Sequence, residues 1–154
     1  MVRILFICHG NICRSPMAEF LMKDYVEKMG RAKDFYIESA ATSTEEIGNP
    51  VHYGTARILD SYNIDYSKKR ARQMTREDYD NYDYLIYMDS YNLSNMRSFV
   101  GSDKDHKCHL LLSYAKLNRD ISDPWYTHNF NKTRDDIILG IEGLYASLLK
   151  NKVI

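Results

Sequence analysis

The sequence predicts an α/β fold, a doubly wound parallel sheet with helices on both faces. Three observations carry this. A short apolar, β-branched run opens the chain at Val2–Ile7, as in a strand buried on both faces. Strand-like and helix-like segments then alternate, the pattern of βαβ units. The 154 residues suit one domain, residues 1–154, able to bury a core without disulfides or metals.

The elements follow in order. After Val2–Ile7, Ser15 is a good helix N-cap and Pro16 fits a first helical position, where its missing N–H costs nothing. Ala18, Leu21, Met22, Tyr25 and Met29 recur at helical spacing, and Gly30 stops the run. Phe35–Ala40 reads as a second strand. Asn49-Pro50 marks a turn into a helix carrying Ala56 and Leu59. Asp83–Met88 is a third strand, and Ser90 starts a short helix. His109–Ser113, with three consecutive leucines, is a candidate fourth strand. The last helix is expected from about Thr133, where Thr133 and Asp136 have capping-box spacing. Ile137, Ile141, Leu144 and Leu148 form its apolar face. In such sheets ligands bind beyond the C-terminal ends of the strands, beside the switch in strand order. Cys8 ends the first strand.

Composition narrows the function. Lys plus Arg and Asp plus Glu total 21 each, so net charge is zero and nothing global points to nucleic acid or a membrane surface. No apolar run is long enough to span a membrane, and the N-terminal run is too short for a signal peptide. Three sparse cysteines argue against a disulfide framework and for a reducing, cytoplasmic interior. The five histidines and the cysteines show no zinc spacing, so neither metal nor cofactor is expected.

The segment Cys8-His9-Gly10-Asn11-Ile12-Cys13-Arg14-Ser15-Pro16 links the first strand to the first helix. Cys8 to Arg14 can curl into a ring whose N–H groups, with the helix N-terminus, converge on an anion the size of phosphate. Gly10 permits positive φ, and Asn11 tolerates the left-handed region. Arg14 offers a planar fork for two phosphate oxygens. The same surroundings favour a thiolate at Cys8. That thiolate could attack phosphorus to give phosphocysteine, with Ser15 donating to its sulfur as it leaves.

With these residues the chain resembles the low-molecular-weight protein tyrosine phosphatases, whose signature Cys-x-Gly-Asn-x-Cys-Arg-Ser-Pro is matched by Cys8 through Pro16. The likeness continues through Met17-Ala18-Glu19, Ser39-Ala40-Ala41-Thr42-Ser43, Gly48-Asn49-Pro50, Ala71-Arg72-Gln73, Met88-Asp89 and Asp123-Pro124. It implies a three-layer fold, a four-stranded parallel sheet of order 2-1-3-4 flanked by helices. It implies hydrolysis of phosphotyrosine in proteins, releasing inorganic phosphate, by a chain expected to be a monomer. Cys8 is then the nucleophile and Asp123 the general acid, later the base that activates water. Taken alone, Asp123-Pro124 would be an ordinary turn in the long stretch from Tyr114 to Lys132.

The resemblance further implies that Trp125 and Tyr126 wall the substrate ring, and that Asn11, Ser15 and Ser39 form a hydrogen-bond network shaping the loop. It implies that Cys8 and Cys13 can pair reversibly on oxidation. Two departures stand out. The histidine that usually joins the network is replaced by Lys68, Lys69 and Arg70, which with Arg72 read as a solvated basic face. The opposite wall, often aromatic, carries Thr44, Glu45 and Glu46, which could repel acidic peptides. His9 is expected at the pocket mouth, and Cys108 is expected to be structural. Rival readings are arsenate reductase, which needs cysteines absent from Asp80–Tyr91, and arginine phosphatase, which calls for Thr where Ile12 stands. A cysteine phosphocarrier or a non-catalytic phosphate-binding module needs neither Arg14 nor Asp123.

Overall fold

The computed structural model describes residues 1–154. Four strands, β1 (Val2–Cys8), β2 (Phe35–Ala41), β3 (Tyr84–Tyr87) and β4 (Cys108–Leu110), form one parallel sheet in the order β2-β1-β3-β4. Between and after them lie α1 (Arg14–Lys28), α2 (Tyr53–Ser61), α3 (Glu77–Asn81), α4 (Ser90–Val100), α5 (Pro124–Thr127) and α6 (Phe130–Lys150). The expected fold class and strand order are both found.

The central strand explains the layering. Its side chains alternate between faces. Ile4, Phe6 and Cys8 join the larger core with Met17 and Met22 of α1 and Ile137, Ile141 and Leu144 of α6. Leu5 and Ile7 point the other way, into a smaller core with Tyr79 of α3 and Met96 of α4. Ile4 through Ile7 are fully buried, which is why the run is continuously apolar. Burying each such side chain is worth about 1.5–3 kcal/mol. The sheet therefore fixes the carboxyl end of β1 firmly between its neighbours, with Cys8 in register with Ala41.

Four local expectations are corrected. Helix α1 begins at Arg14, not after a Ser15 cap; Cys13 is the N-cap and Ser15 lies buried inside the first turn. Its hydroxyl serves the loop rather than the helix end. Pro16 is accordingly the third helical residue, still within the turn whose N–H groups have no helical acceptor. The leucine run is mostly not strand: β4 ends at Leu110, and Leu111–Ala115 form a 3-10 turn that buries Leu111 and Leu112 under α6. Helix α6 begins at Phe130, where Asn129 accepts the Lys132 N–H, and Thr133 instead donates to the Ser122 carbonyl. The stretch from Tyr114 to Lys132 holds the end of the 3-10 turn, α5 and the start of α6, so it is no bare loop.

Two glycines of α6 have a packing role that the apolar pattern does not reveal. A Cβ on Gly140 would overlap Leu111, and one on Gly143 would overlap the backbone carbonyl of Tyr114. Helix and 3-10 turn thus touch backbone to backbone. Gly143→Ala is expected to cost about 3 kcal/mol, the upper end for overpacking, because a backbone cannot rotate away. Urea unfolding measures this, and a loss under about 0.5 kcal/mol would show that α6 shifts freely.

Candidate active site

The segment from Cys8 to Arg14 closes a loop at the carboxyl end of β1. Four of its carbonyls are spent on the surrounding protein. Cys8 O accepts from Thr42 N–H, His9 O from Ser43 N–H, Ile12 O from His52 N–H and Cys13 O from the Thr55 hydroxyl. The N–H groups of His9, Gly10, Asn11, Ile12 and Cys13 donate to no protein acceptor. Consecutive unspent N–H groups beside a helix N-terminus make an anion-binding nest.

The left-handed residue of this loop is Asn11 (φ 60°), not Gly10. Gly10 matters for space: a Cβ there would sit 3.3 Å from Glu46 Cγ, which lies over the loop. Asn11 is buried and its side chain points behind the loop, not into the pocket. The Arg72 N–H donates to Asn11 Oδ1 at 3.2 Å, which fixes the amide orientation. Asn11 Nδ2 donates to Ser15 Oγ at 2.7 Å and to Ser39 Oγ at 2.9 Å. Ser15 Oγ lies 3.1 Å from Cys8 Sγ, and the Ser15 N–H donates to that sulfur at 3.4 Å. The expected network of Asn11, Ser15 and Ser39 is therefore assembled.

Arg14 is 2% exposed. One of its terminal nitrogens donates to Asp89 Oδ2 at 2.7 Å and to the Ile121 carbonyl at 2.8 Å, and the other lies 3.4 Å from Asp123 Oδ2. Burial opposes its charge, but Cys8, Asp89 and Asp123 outweigh burial and hold its pKa above the ordinary value. Asp89 also caps α4, its Oδ1 accepting the Asn92 N–H at 2.8 Å. One carboxylate so ties a helix end to the guanidinium.

Cys8, His9, Gly10, Ile12, Cys13 and Arg14 form the floor and near side of a cavity of about 340 Å³. Asp123, Trp125 and Tyr126 close it on one side, Glu45 and Glu46 on the other. Cys8 is 3% exposed at the bottom. Asp123 caps α5, its Oδ1 accepting the Trp125 N–H at 3.0 Å, so the helix presents Trp125 and Tyr126 as an exposed lip. His9 is half-exposed at the mouth, 2.9 Å from Glu45 Oε2. The mouth thus carries carboxylates while the cation lies on the floor. Burial first, then Cys8 and Asp123, push the Cys13 thiol far up. Cys108 lies on β4, pushed up to about 12 mainly by burial.

Asp89 and Glu19 stand in the matched stretches Met88-Asp89 and Met17-Ala18-Glu19, but sequence reasoning gave neither a place in the site; both are buried. The basic face is also corrected. Lys68 and Arg70 are exposed, but Arg72 pairs with Asp78 at 3.0 Å and Lys69 turns inward.

A family model described as low molecular weight phosphotyrosine protein phosphatase matches residues 3–153. The low molecular weight protein-tyrosine-phosphatase YfkJ of Bacillus subtilis is 40% identical over 99% of both chains. The crystal structure of YfkJ superposes with a TM-score of 0.94, covering 99% of this chain and 97% of that one. PtpA of Staphylococcus aureus, also called a low molecular weight protein-tyrosine-phosphatase, is 32% identical over 98% of this chain and 96% of its own. The crystal structure of SP-PTP, the low molecular weight protein tyrosine phosphatase of Streptococcus pyogenes, is 40% identical with a TM-score of 0.85, covering 96% and 93%.

Proposed function

Since the chain belongs to the low molecular weight phosphotyrosine protein phosphatase family and is a protein-tyrosine-phosphatase, we propose that its reaction runs through Cys8 and Asp123. The supporting observation is the ring of unspent N–H groups, His9 to Cys13, around a buried sulfur. These groups and Arg14 hold the three non-bridging oxygens of the phosphoryl group. The Cys8 thiolate attacks phosphorus, the bond from phosphorus to the tyrosine oxygen breaks, and Asp123 gives its proton to that oxygen. Water then attacks phosphocysteine, Asp123 takes a proton from it, the S–P bond breaks and inorganic phosphate leaves. Ser15 stabilises the sulfur in both steps by donating to it. Charge stabilisation by fixed donors is the largest contribution in such transfers.

Depth selects the substrate. A phosphoryl group must reach a sulfur at the bottom of the cavity, past Trp125 and Tyr126. The long, flat tyrosine side chain spans that distance and the serine side chain does not. Cys13 is the resolving thiol for an oxidised Cys8, consuming a sulfenic acid to form a disulfide and water. No helix is long and apolar enough to cross a membrane, and action on cytoplasmic phosphoproteins by a monomer fits the reading. Purified protein should hydrolyse phosphotyrosine peptides far faster than phosphoserine or phosphoarginine peptides and should not reduce arsenate. Preferred turnover of phosphoarginine would overturn the substrate assignment.

A further inference from the structure

The wall at Trp125 has a support that the reaction scheme does not use. Trp125 is half-exposed on a helix of four residues. The hydrogen bonds of that helix hold only backbone. Asp123 Oδ1 accepts the Trp125 N–H, the Asp123 carbonyl accepts from Tyr126 and Thr127, and the Pro124 carbonyl accepts from His128. None of them reaches the indole. So short an element, with so little of it buried, does little to fix where that ring stands.

The ring partner of Trp125 is His52, from the turn before α2. Their centroids are 5.8 Å apart and their planes cross at 73°, an edge-to-face contact. His52 is tied in three other ways. Its backbone N–H donates to the Ile12 carbonyl of the phosphate loop at 2.9 Å. Its Nδ1 accepts the Gly54 N–H at 3.0 Å and so caps α2. Its ring stacks on Phe130, with centroids 5.2 Å apart and planes within 14°. Phe130 has little room to move: it packs against the cluster of Ile12, Cys13 and Ala71, and a Cβ on Gly54 would overlap its ring. Burial, opposed by Glu46 and reinforced by His128, holds the His52 pKa below the ordinary value, so at pH 7 Nδ1 is free to accept. His52 itself does not line the cavity.

Contacts therefore run from the phosphate loop through Phe130 and His52 to the indole. We propose that His52 is a positioning residue for the substrate wall: standing on the loop and on Phe130, its ring sets where Trp125 lies relative to the phosphate site, and so the affinity for the aryl part of the substrate. This rests on the reading of Trp125 as that wall. Apparent affinity falls with the fraction of molecules whose wall is in place. One edge-to-face contact shifts that fraction by about three- to tenfold. Inorganic phosphate meets the loop and Arg14 alone, so its binding does not depend on His52.

The test compares variants at pH 7 by KM and kcat for para-nitrophenyl phosphate, by inhibition with inorganic phosphate, and by acrylamide quenching of Trp125, the one tryptophan of the chain. His52→Asn keeps an acceptor for the Gly54 N–H and removes the ring. His52→Phe keeps a ring and removes the acceptor. His52→Asn should raise KM about three- to tenfold, change kcat and the phosphate inhibition constant by less than about twofold, and make Trp125 easier to quench. His52→Phe should lower Tm yet keep KM and quenching within about twofold of the parent. A merely structural role gives the opposite order, with the larger KM rise in the less stable variant, and that order would overturn the proposal. So would parental KM and quenching in His52→Asn, or a phosphate constant that rises with KM. Should His52→Asn fail to fold, His52→Phe decides: a raised KM overturns the proposal, and a parental KM in a less stable protein upholds it. Trp125→Ala separates the two readings. An unchanged KM there removes Trp125 from the wall, whatever His52 does. A raised KM there, with a parental KM in His52→Asn, removes only His52.

Discussion

Cys8→Ser is expected to reduce aryl phosphate hydrolysis by about 10⁴-fold or more while leaving phosphate affinity within about threefold. The two halves have separate causes. Binding depends on Arg14 and on backbone N–H groups whose positions are set by carbonyls bonded to the surrounding protein, none of which the substitution touches. Chemistry depends on the attacking atom, and a serine hydroxyl is a far weaker nucleophile than a cysteine sulfur. The variant should fold as well as the parent, since serine is smaller than cysteine and can still bond Ser15. Turnover of para-nitrophenyl phosphate and calorimetric titration with phosphate check the two halves. Activity above a few per cent of the parent would remove Cys8 from its role. Lost phosphate binding would mean that the sulfur, and not the backbone ring, shapes the loop.

Asp123→Asn should slow turnover by about 10²–10⁴-fold, the usual worth of a positioned general acid. Asn is preferred to Ala because Asp123 Oδ1 also caps α5. Losing that cap would cost about 0.5–2 kcal/mol and confuse the result. Asn keeps an acceptor for the Trp125 N–H yet carries no transferable proton. The loss should be steeper for phenyl phosphate than for para-nitrophenyl phosphate, whose leaving group needs less help. Equal losses for both would assign Asp123 to binding through Arg14, 3.4 Å away, and not to proton transfer.

The catalytic loop is legible in the sequence because it is built from neighbours. Cys8 through Pro16 carry the strand end, the turn, the cation and the helix start within one segment. The sheet is legible because strands buried on both faces are continuously apolar, as at Ile4–Ile7 and Tyr84–Tyr87. Three leucines mislead at β4 because burial alone does not distinguish strand from 3-10 turn; α6 packing decides it. Ser15 misleads because its residue type fits a cap as well as it fits the sulfur. Lys69, Glu19 and Asp89 are invisible to patterning for a deeper reason. Lys69 and Asp89 lie against partners distant in the chain, Glu19 and Arg14, while Glu19 also pairs with Lys23 four residues on.

The mouth of the cavity has a consequence for molecules made to block it. A simple phosphate mimic is drawn to Arg14 and the loop but must pass Glu45, Glu46 and Asp123. Adding acidic groups for extra affinity would work against the rim. The better inhibitor is zwitterionic, with a dianionic head for the floor, an aromatic spacer along Trp125 and a cationic arm ending at Glu45. Its inner charge would be sheltered from salt, while the outer one would weaken as ionic strength rises, because Glu45 is 68% exposed. Affinity measured in dilute buffer would therefore overstate what that arm contributes at physiological salt.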